Sequence, residues 1–330
     1  MVPGRDADLR GAGADLTSRR RHFVIFNPAA GRGRARDGIE TYRKLLEAAL
    51  AEVAFATTSR AGEESELAER AVAEGYDAVV AVGGDGTWSH VADRLVRCGR
   101  GEVVLGVLPN GTGNDFGRNL GYDPSDPAEA VRVLAEGHVR RVDVGRVETP
   151  SAPDRDPERV EQRHFLNLVG FGFDIAVIDA AARARFLCGE LLYKVTALQQ
   201  LFRFPGFEVA VESPDGRRHE GRHLMLTVSN GRFFGGGFPI APGASVSDGL
   251  LHACAIGDAS PLGRLRLFNM AERGRHVRSP RVTSLEGEGF RLSFPAPPRF
   301  EVDGDVRRAA GATVEVSILP AALGVIAPPA

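Results

Sequence analysis

The chain has 330 residues, 43% hydrophobic and 25% charged, which is globular text long enough for two modest cores. A formal net charge of -2, with no Lys/Arg run interleaved with aromatics, excludes nucleic acid as an expected partner. The three cysteines, Cys98, Cys188 and Cys254, are too scattered for a disulfide framework or zinc site, and no apolar stretch reaches the roughly 20 residues of a membrane span.

Residues 1–21 are rich in Gly, Asp and Arg, end in Ser18-Arg19-Arg20-Arg21, and read as a disordered tail. His22 to Phe26 is a short apolar run that breaks at Asn27-Pro28, as a buried strand does on entering a turn. Apolar residues then recur at helical spacing from Gly38 to Val53, and Val53 to Thr57 reads as a second strand. A helix is predicted over Glu63 to Glu74, a strand over Ala78 to Val82, a helix over Ser89 to Arg97 and a strand over Val103 to Leu108. Strands alternating with helices predict a doubly wound parallel α/β domain over 22–144, rejoined by 320–330. Ligands of such sheets sit at the carboxyl ends of the strands.

Beyond Val144 the text changes to alternating runs punctuated by turns: Phe165 to Val169, Phe207 to Glu212, His223 to Val228, Leu251 to Ile256, Phe290 to Phe294 and Thr313 to Leu319. They predict an antiparallel, β-rich second domain over 145–319, with helices over about Ala181 to Phe202 and Pro261 to Val277. The polar stretch Thr149 to Gln162 reads as a hairpin tip.

The chemistry gathers where strands end in glycine. Backbone N–H groups of such loops turn toward an anion, and a following helix adds its positive end. Asn27 to Gly33 alone is weak evidence, since glycine serves turns for steric reasons. Gly83-Gly84-Asp85-Gly86-Thr87 is more specific, because it adds a carboxylate and a hydroxyl that suit Mg²⁺ beside a polyphosphate. Gly111-Thr112-Gly113-Asn114-Asp115 repeats that chemistry. The only lysines are Lys44 and Lys194, so no Gly-Lys-Ser/Thr follows a glycine loop and a P-loop NTPase is excluded. Neither Gly-x-Gly-x-x-Gly at the first helix nor a Gly-x-Ser-x-Gly elbow occurs.

These residues resemble the diacylglycerol kinase catalytic-domain family, which includes bacterial soluble diacylglycerol kinases and sphingosine and ceramide kinases. The resemblance runs from His22 to Pro328. Asn27-Pro28-Ala29-Ala30-Gly31 is similar to the family's opening motif, Gly83 to Thr87 to its most diagnostic one, and Leu108 to Phe116 to the next. The series continues with Asp143-Val144-Gly145, Asn167 to Asp174, Ala241 to Ala244, Ser247 to Leu250 and Val302-Asp303-Gly304-Asp305. The first motifs also look like those of NAD kinases and phosphofructokinases, which lack the later series.

The resemblance implies an ATP-dependent lipid kinase, with diacylglycerol as the expected acceptor and phosphatidic acid as product. Other lipid alcohols, a soluble metabolite such as NAD, or a degenerate binding protein are the alternatives. ATP would lie on Asn27, Pro28, Ala29, Ala30, Gly31, Thr57, Gly83, Gly84, Asp85, Gly86, Thr87, Trp88, Ser89, Gly111, Thr112, Asn114 and Asp115. Asp85 would stand near a catalytic Mg²⁺, and a second Mg²⁺ would take Asp248 with the carbonyls of Ser245 and Leu250. Asp305 falls at the general base position, with Asp303 as its catalytic neighbour; a hairpin turn is the plainer reading of Asp303-Gly304-Asp305. Two positions depart from the family text: Ser89-His90 replaces Asn-Glu, and Asp305 stands where Glu is usual. The expected setting is cytoplasmic, with transient membrane contact; the sequence is silent on oligomeric state, a homodimer being one assembly it leaves open. An interfacial face on Arg183 to Arg203 and an apolar lipid entrance at Phe233 to Phe238 are the candidate lipid contacts.

Overall fold

Strands with no polar interruption need cover on both faces, and strands that alternate need two different neighbours. Both kinds occur in the computed structural model, which describes residues 20–33, 35–123, 125–151, 160–183 and 189–329. The expected tail lies outside the described residues except for Arg20 and Arg21.

In chain order the first elements are β1 (His22–Phe26), α1 (Ala35–Ala49), β2 (Val53–Thr57), α2 (Glu63–Ala73), β3 (Ala78–Gly83), α3 (Asp85–Cys98), β4 (Val104–Pro109), α4 (Asp115–Leu120) and α5 (Pro127–Glu136). There follow β5 (Val139–Pro150), β6 (Val160–Phe165), β7 (Leu168–Gly172), α6 (Phe173–Arg183), α7 (Gly189–Arg203), β8 (Phe207–Glu212), β9 (Arg218–Ser229), β10 (Leu251–Gly257) and α8 (Pro261–Ala271). The chain ends with β11 (Val282–Gly287), β12 (Gly289–Ser293), β13 (Arg299–Val302), β14 (Asp305–Arg308) and β15 (Thr313–Ile326).

These elements form two compact units, one made by the described residues within 20–111, 120–140 and 323–329, the other by those within 112–119 and 141–322. In the first, parallel strands run in the order β2-β1-β3-β4, and the end of β15 adds Val325 and Ile326 beside Leu105 and Gly106. β1, β3 and β4 are buried throughout. α1 packs with α5, and α2 with α3. The order reverses between β1 and β3, so their carboxyl ends flank a topological switch point.

In the second unit, β14-β13-β7-β9-β8-β12-β15 pair antiparallel, β10 adds to β9 and β11 to β10. Alternation divides the strand residues between two cores. Val169, Phe171, Leu226, Val228, Leu251 and Ala253 enter one. Leu168, Leu224, Cys254 and Ile256 enter another with Phe173, Val177, Leu201 and Leu267 of α6, α7 and α8. β5 and β6 form the expected hairpin, pairing Gly145 with Phe165 through Pro150 with Val160; residues 152–159 of its tip lie outside the described residues.

Several predicted boundaries move for physical reasons. α3 begins at Asp85, not Ser89, so the glycine motif forms the helix's own first turn. The stretch read as one helix from Ala181 is two, α6 starting at Phe173 and α7 at Gly189, with 184–188 outside the described residues. The run Phe165 to Val169 is broken at Leu166-Asn167, where a side chain far along the chain captures the backbone amides. Phe171 tests the second core: it is 1% exposed, its ring centroid 5.0 Å from Phe294 and 5.8 Å from Phe300. Phe171→Ala will cost about 3–5 kcal/mol in urea unfolding, whereas Phe202→Ala, at a half-exposed position, will stay within about 0.5 kcal/mol of wild type.

Candidate active site

In the first unit the strand ends are stitched together by their own backbone. Thr58 N–H donates to Phe26 O (2.9 Å), Asn27 N–H to Val82 O (3.1 Å) and Asn110 N–H to Gly83 O (2.7 Å), so the loops after β2, β1, β3 and β4 form one edge. Asn27 fixes the switch point. Its Oδ1 accepts Ala29 N–H at 2.9 Å, closing the turn Asn27-Pro28-Ala29-Ala30, and its Nδ2 donates to Thr87 Oγ1 at 2.9 Å. The first two glycine motifs are therefore one structure.

Gly84 is the cap residue of α3 and Asp85 its first helical residue, so the motif forms a helix N-terminus, whose dipole favours an anion. Thr87 lies over Gly83, where any side chain would strike its hydroxyl and methyl. Trp88 is fully buried, with its indole N–H bonded to Ala81 O at 3.0 Å, and Ser89 is buried too. Both side chains belong to the interior under the loop rather than to a nucleotide surface. His90 Nδ1 meets buried Glu64 Oε1 at 2.6 Å and ties α3 to α2, a use of the unusual Ser89-His90 pair that the sequence did not disclose. Thr57 ends β2 with an exposed side chain, and Tyr42 braces the third loop through its hydroxyl on Pro109 O (2.7 Å).

Gly111 ends the first stretch of the first unit, and the predicted residues from Thr112 onward lie in the second. Asn114 adopts φ 55° and is buried with Asp115, whose Oδ2 accepts Gly236 N–H at 2.9 Å. Phe233 to Phe238 is thus a tight turn, closed by two bonds between Phe234 and Phe238 and held on Asp115, with Phe238 packed on Phe268. The loop 245–250 is fastened from below by Asp143, whose Oδ2 accepts Gly249 N–H and Oδ1 accepts Ala321 N–H, both at 2.7 Å. Asp248 holds Leu250 N–H at 3.0 Å with one oxygen, while its other lies 3.7 Å from His252 Nε2. A part-exposed carboxylate and the carbonyls of Ser245 and Leu250 on one short loop are hard oxygen donors of the type Mg²⁺ takes.

Asp303 and Gly304 form a two-residue hairpin turn between β13 and β14, with φ 48° and 94° and Val302 paired to Asp305. Asp-Gly with both φ positive is the turn that matches strand twist. The plainer reading is correct for the backbone. Asp303 Oδ2 accepts Leu166 N–H at 2.7 Å, and Oδ1 accepts Asn167 and Leu168 N–H at 2.9 and 3.0 Å. Expected on the sequence as a catalytic partner, Asp303 is a buried anchor committed to three backbone donors, whereas Asp305 is only partly buried at the start of β14.

Two carboxyl groups escaped the sequence reading of roles. Glu301, buried in β13, accepts Gly304 N–H with Oε2 at 2.6 Å, and Asp174 opens α6 with Oδ1 on Ile175 N–H at 2.9 Å. Their other oxygens have no hydrogen-bond partner among the described residues. Burial raises both groups above the usual carboxylate range, Asp174 to about 7, and each Glu301 charge also faces Asp174, Asp303 and Asp305.

Residues 21–147 match the diacylglycerol kinase catalytic domain, and 167–327 match the YegS C-terminal NAD kinase beta sandwich-like domain. A diacylglycerol kinase of Mycobacterium tuberculosis is 30% identical over 315 residues, covering 94% of this chain and 97% of that protein. One of Bacillus subtilis is 26% identical over 287 residues, 87% of this chain and 90% of its own. A solved structure described as a putative diacylglycerol kinase from Bacillus anthracis superposes with a TM-score of 0.73 at 22% identity, covering 94% and 98% of the two chains.

Asp303→Ala will leave three buried amides without an acceptor and cost about 3 kcal/mol or more in urea unfolding, while Asp305→Ala will leave the midpoint nearly unchanged. The Asn27–Thr87 stitch, the carboxylate-bearing turn beyond it and the match along nearly the whole chain agree: the chain belongs to the diacylglycerol kinase family, ATP-dependent phosphotransferases that act on an alcohol group.

Proposed function

We propose that this lipid kinase transfers the γ-phosphoryl group of ATP to the free hydroxyl of diacylglycerol, giving ADP and phosphatidic acid. The observation that supports the donor half is the switch-point cradle, where Asn27 holds Thr87 in the first turn of α3, which opens at Gly84-Asp85. ATP phosphates are read onto Asn27 to Gly31, Gly83 to Thr87 and Gly111-Thr112. Mg²⁺, when bound, neutralises charge developing on the phosphates. Asp85 is the carboxylate read as standing near that Mg²⁺, and Asp248, with the carbonyls of Ser245 and Leu250, is read as holding a second one.

Asp305 is the proposed base. Its carboxylate takes the hydroxyl proton as the alcohol oxygen bonds to the γ-phosphorus, the β–γ bridging P–O bond breaks, and ADP leaves with the electron pair. Its shorter reach than Glu requires the acceptor hydroxyl to come closer to β14.

For the acyl part, the second unit offers an apolar cavity of about 420 Å³ between Phe171, Ile175, Phe204, Phe207, Phe294 and Pro298, within the range of sites that enclose apolar ligands. No described helix is long and apolar enough to cross a membrane. Membrane approach is instead read onto Leu198 and Phe202, one helical turn apart on α7, and Leu262 on α8, which are 44%, 51% and 79% exposed.

The test is transfer of labelled phosphate from ATP with Mg²⁺ to diacylglycerol, sphingoid bases, ceramide and polyprenol, with NAD as the soluble comparison. Diacylglycerol should be labelled fastest. Faster labelling of another lipid would reassign the acceptor, and folded protein that labels no lipid would sink the proposal. Asp305→Ala should lower kcat by about 10²–10⁴-fold with ATP affinity retained. Leu198→Ser with Phe202→Ser should weaken sedimentation with anionic vesicles and spare transfer to short-chain diacylglycerol in detergent.

A further inference from the structure

Gly170 of β7 lies opposite Glu301 of β13 on one side and Thr227 of β9 on the other, and Thr227 is opposite Cys254 of β10. Residues opposite one another share a face, so this row looks toward α6. A side chain at 170 would collide with Asp174 Oδ2 and Glu301 Oε1, so the space a Cβ would occupy is flanked by two carboxyl oxygens. Asp174 is 3% exposed and Glu301 0%, and neither oxygen has a protein donor among the described residues. Two bare carboxylates cannot both remain charged at such range in a buried setting.

We propose that Asp174 and Glu301 share one proton over Gly170, and that the pair, through the Glu301 hydrogen bond to Gly304 N–H, is the positioning element of the turn that carries Asp305. A shared proton turns mutual repulsion into a hydrogen bond between Oδ2 and Oε1. It leaves Glu301 Oε2 free to hold Gly304 N–H, found at 2.6 Å, and so adds a second fastening of the turn to the Asp303 anchor. The positioning role rests on the reading of Asp305 as the base; the proton sharing does not.

The surroundings favour a proton. Asp303 and Asp305, from the turn and β14, add only negative charge. β9 and β10 contribute the Thr227 hydroxyl, without a hydrogen-bond partner among the described residues, and the Cys254 thiol, which burial pushes up to about 12 and so keeps neutral. Arg299, beside Glu301 on β13, is engaged by both oxygens of Asp179 of α6, at 2.7 and 3.0 Å.

The sign of the pH effect follows. Both groups are raised on folding, so the folded chain binds more protons than the unfolded one. Their contribution to stability is complete below the ordinary carboxylate pKa of about 4 and is lost as pH rises through the folded values.

Infrared spectra of the wild-type chain in D₂O near neutral pH should show the carbonyl stretch of a buried protonated carboxyl group. Its absence would overturn the proposal without any variant. Thermal melts from about pH 6 to about pH 9 should show the wild-type midpoint falling by several degrees more than that of Glu301→Gln, or of Asp174→Asn should the first fail to fold. Equal pH dependence in wild type and variant would refute proton sharing. So would a melt lowered by a chelator in wild type but not in the variant, because the pair would then hold a cation. If the kinase assay works, Glu301→Gln should lower kcat about ten- to a hundredfold with the KM for ATP little changed and the alkaline limb of the pH profile flattened, and Glu301→Ala should be worse. An unchanged kcat and pH profile would remove the positioning role. Absence of turnover in wild type would instead count against the kinase reading, leaving the melts and spectra to decide the proton.

Discussion

The second unit depends on one carboxylate accepting three consecutive amides. Asp303 binds the N–H groups of Leu166, Asn167 and Leu168, about 135 residues away in sequence. Three successive amides can converge on one side chain only if the chain leaves extended conformation there, which is why β6 and β7 are separate strands. Charge-assisted bonds of this kind are worth more than neutral ones and cost more to lose. They also hold Asp303 at φ 48°, a conformation costly for most side chains yet favourable in an Asp-Gly hairpin. Anchor and turn thus require one another, and Asp305 takes its place from both.

The first unit solves a similar problem with backbone and amide groups instead of charge. The strands end where loops must stay open to an anion, so the edge is braced from within, by Asn27 on Thr87, Asn110 on Gly83, and Tyr42 on Pro109. Trp88 supplies the floor. None of these braces is made by the amides of Gly84 to Gly86, and α3 begins directly at that edge.

Much of this was legible in the sequence. Apolar runs of five or six residues stopping at glycine gave the parallel strands and the edge where the loops gather, because burial on both faces and tight turns leave marks in a short window. Trp88 was ambiguous, since packing and stacking ask for the same residue, and only its bond to Ala81 O separates them. The single helix expected from Ala181 failed because apolar spacing continues across the break and Phe173 reads equally well as strand text. Asp174 and Glu301 were hidden for another reason. Glu301, between Phe300 and Val302, looks like any outward residue of an alternating strand, and nothing local says that α6 covers that face. The one available signal was an acidic residue, Asp174, closing the apolar run from Leu166.

Six acidic groups of the second unit accordingly fall into three states that composition cannot distinguish. Asp143 and Asp303 are buried but surrounded by amides, so their charge is satisfied and they act as fasteners. Asp248 and Asp305 keep partial exposure, the state that the cation-holding and proton-accepting roles proposed for them require. Asp174 and Glu301 have neither exposure nor enough donors, and for them the cheaper course is to give up a charge. A chemistry that transfers a phosphoryl group needs the middle state, carboxylates accessible but held still. The other two states supply the holding: the fasteners fix the backbone that bears Asp248 and Asp305, and the proposed shared proton removes one of the two charges that Asp174 and Glu301 would otherwise set beside that turn.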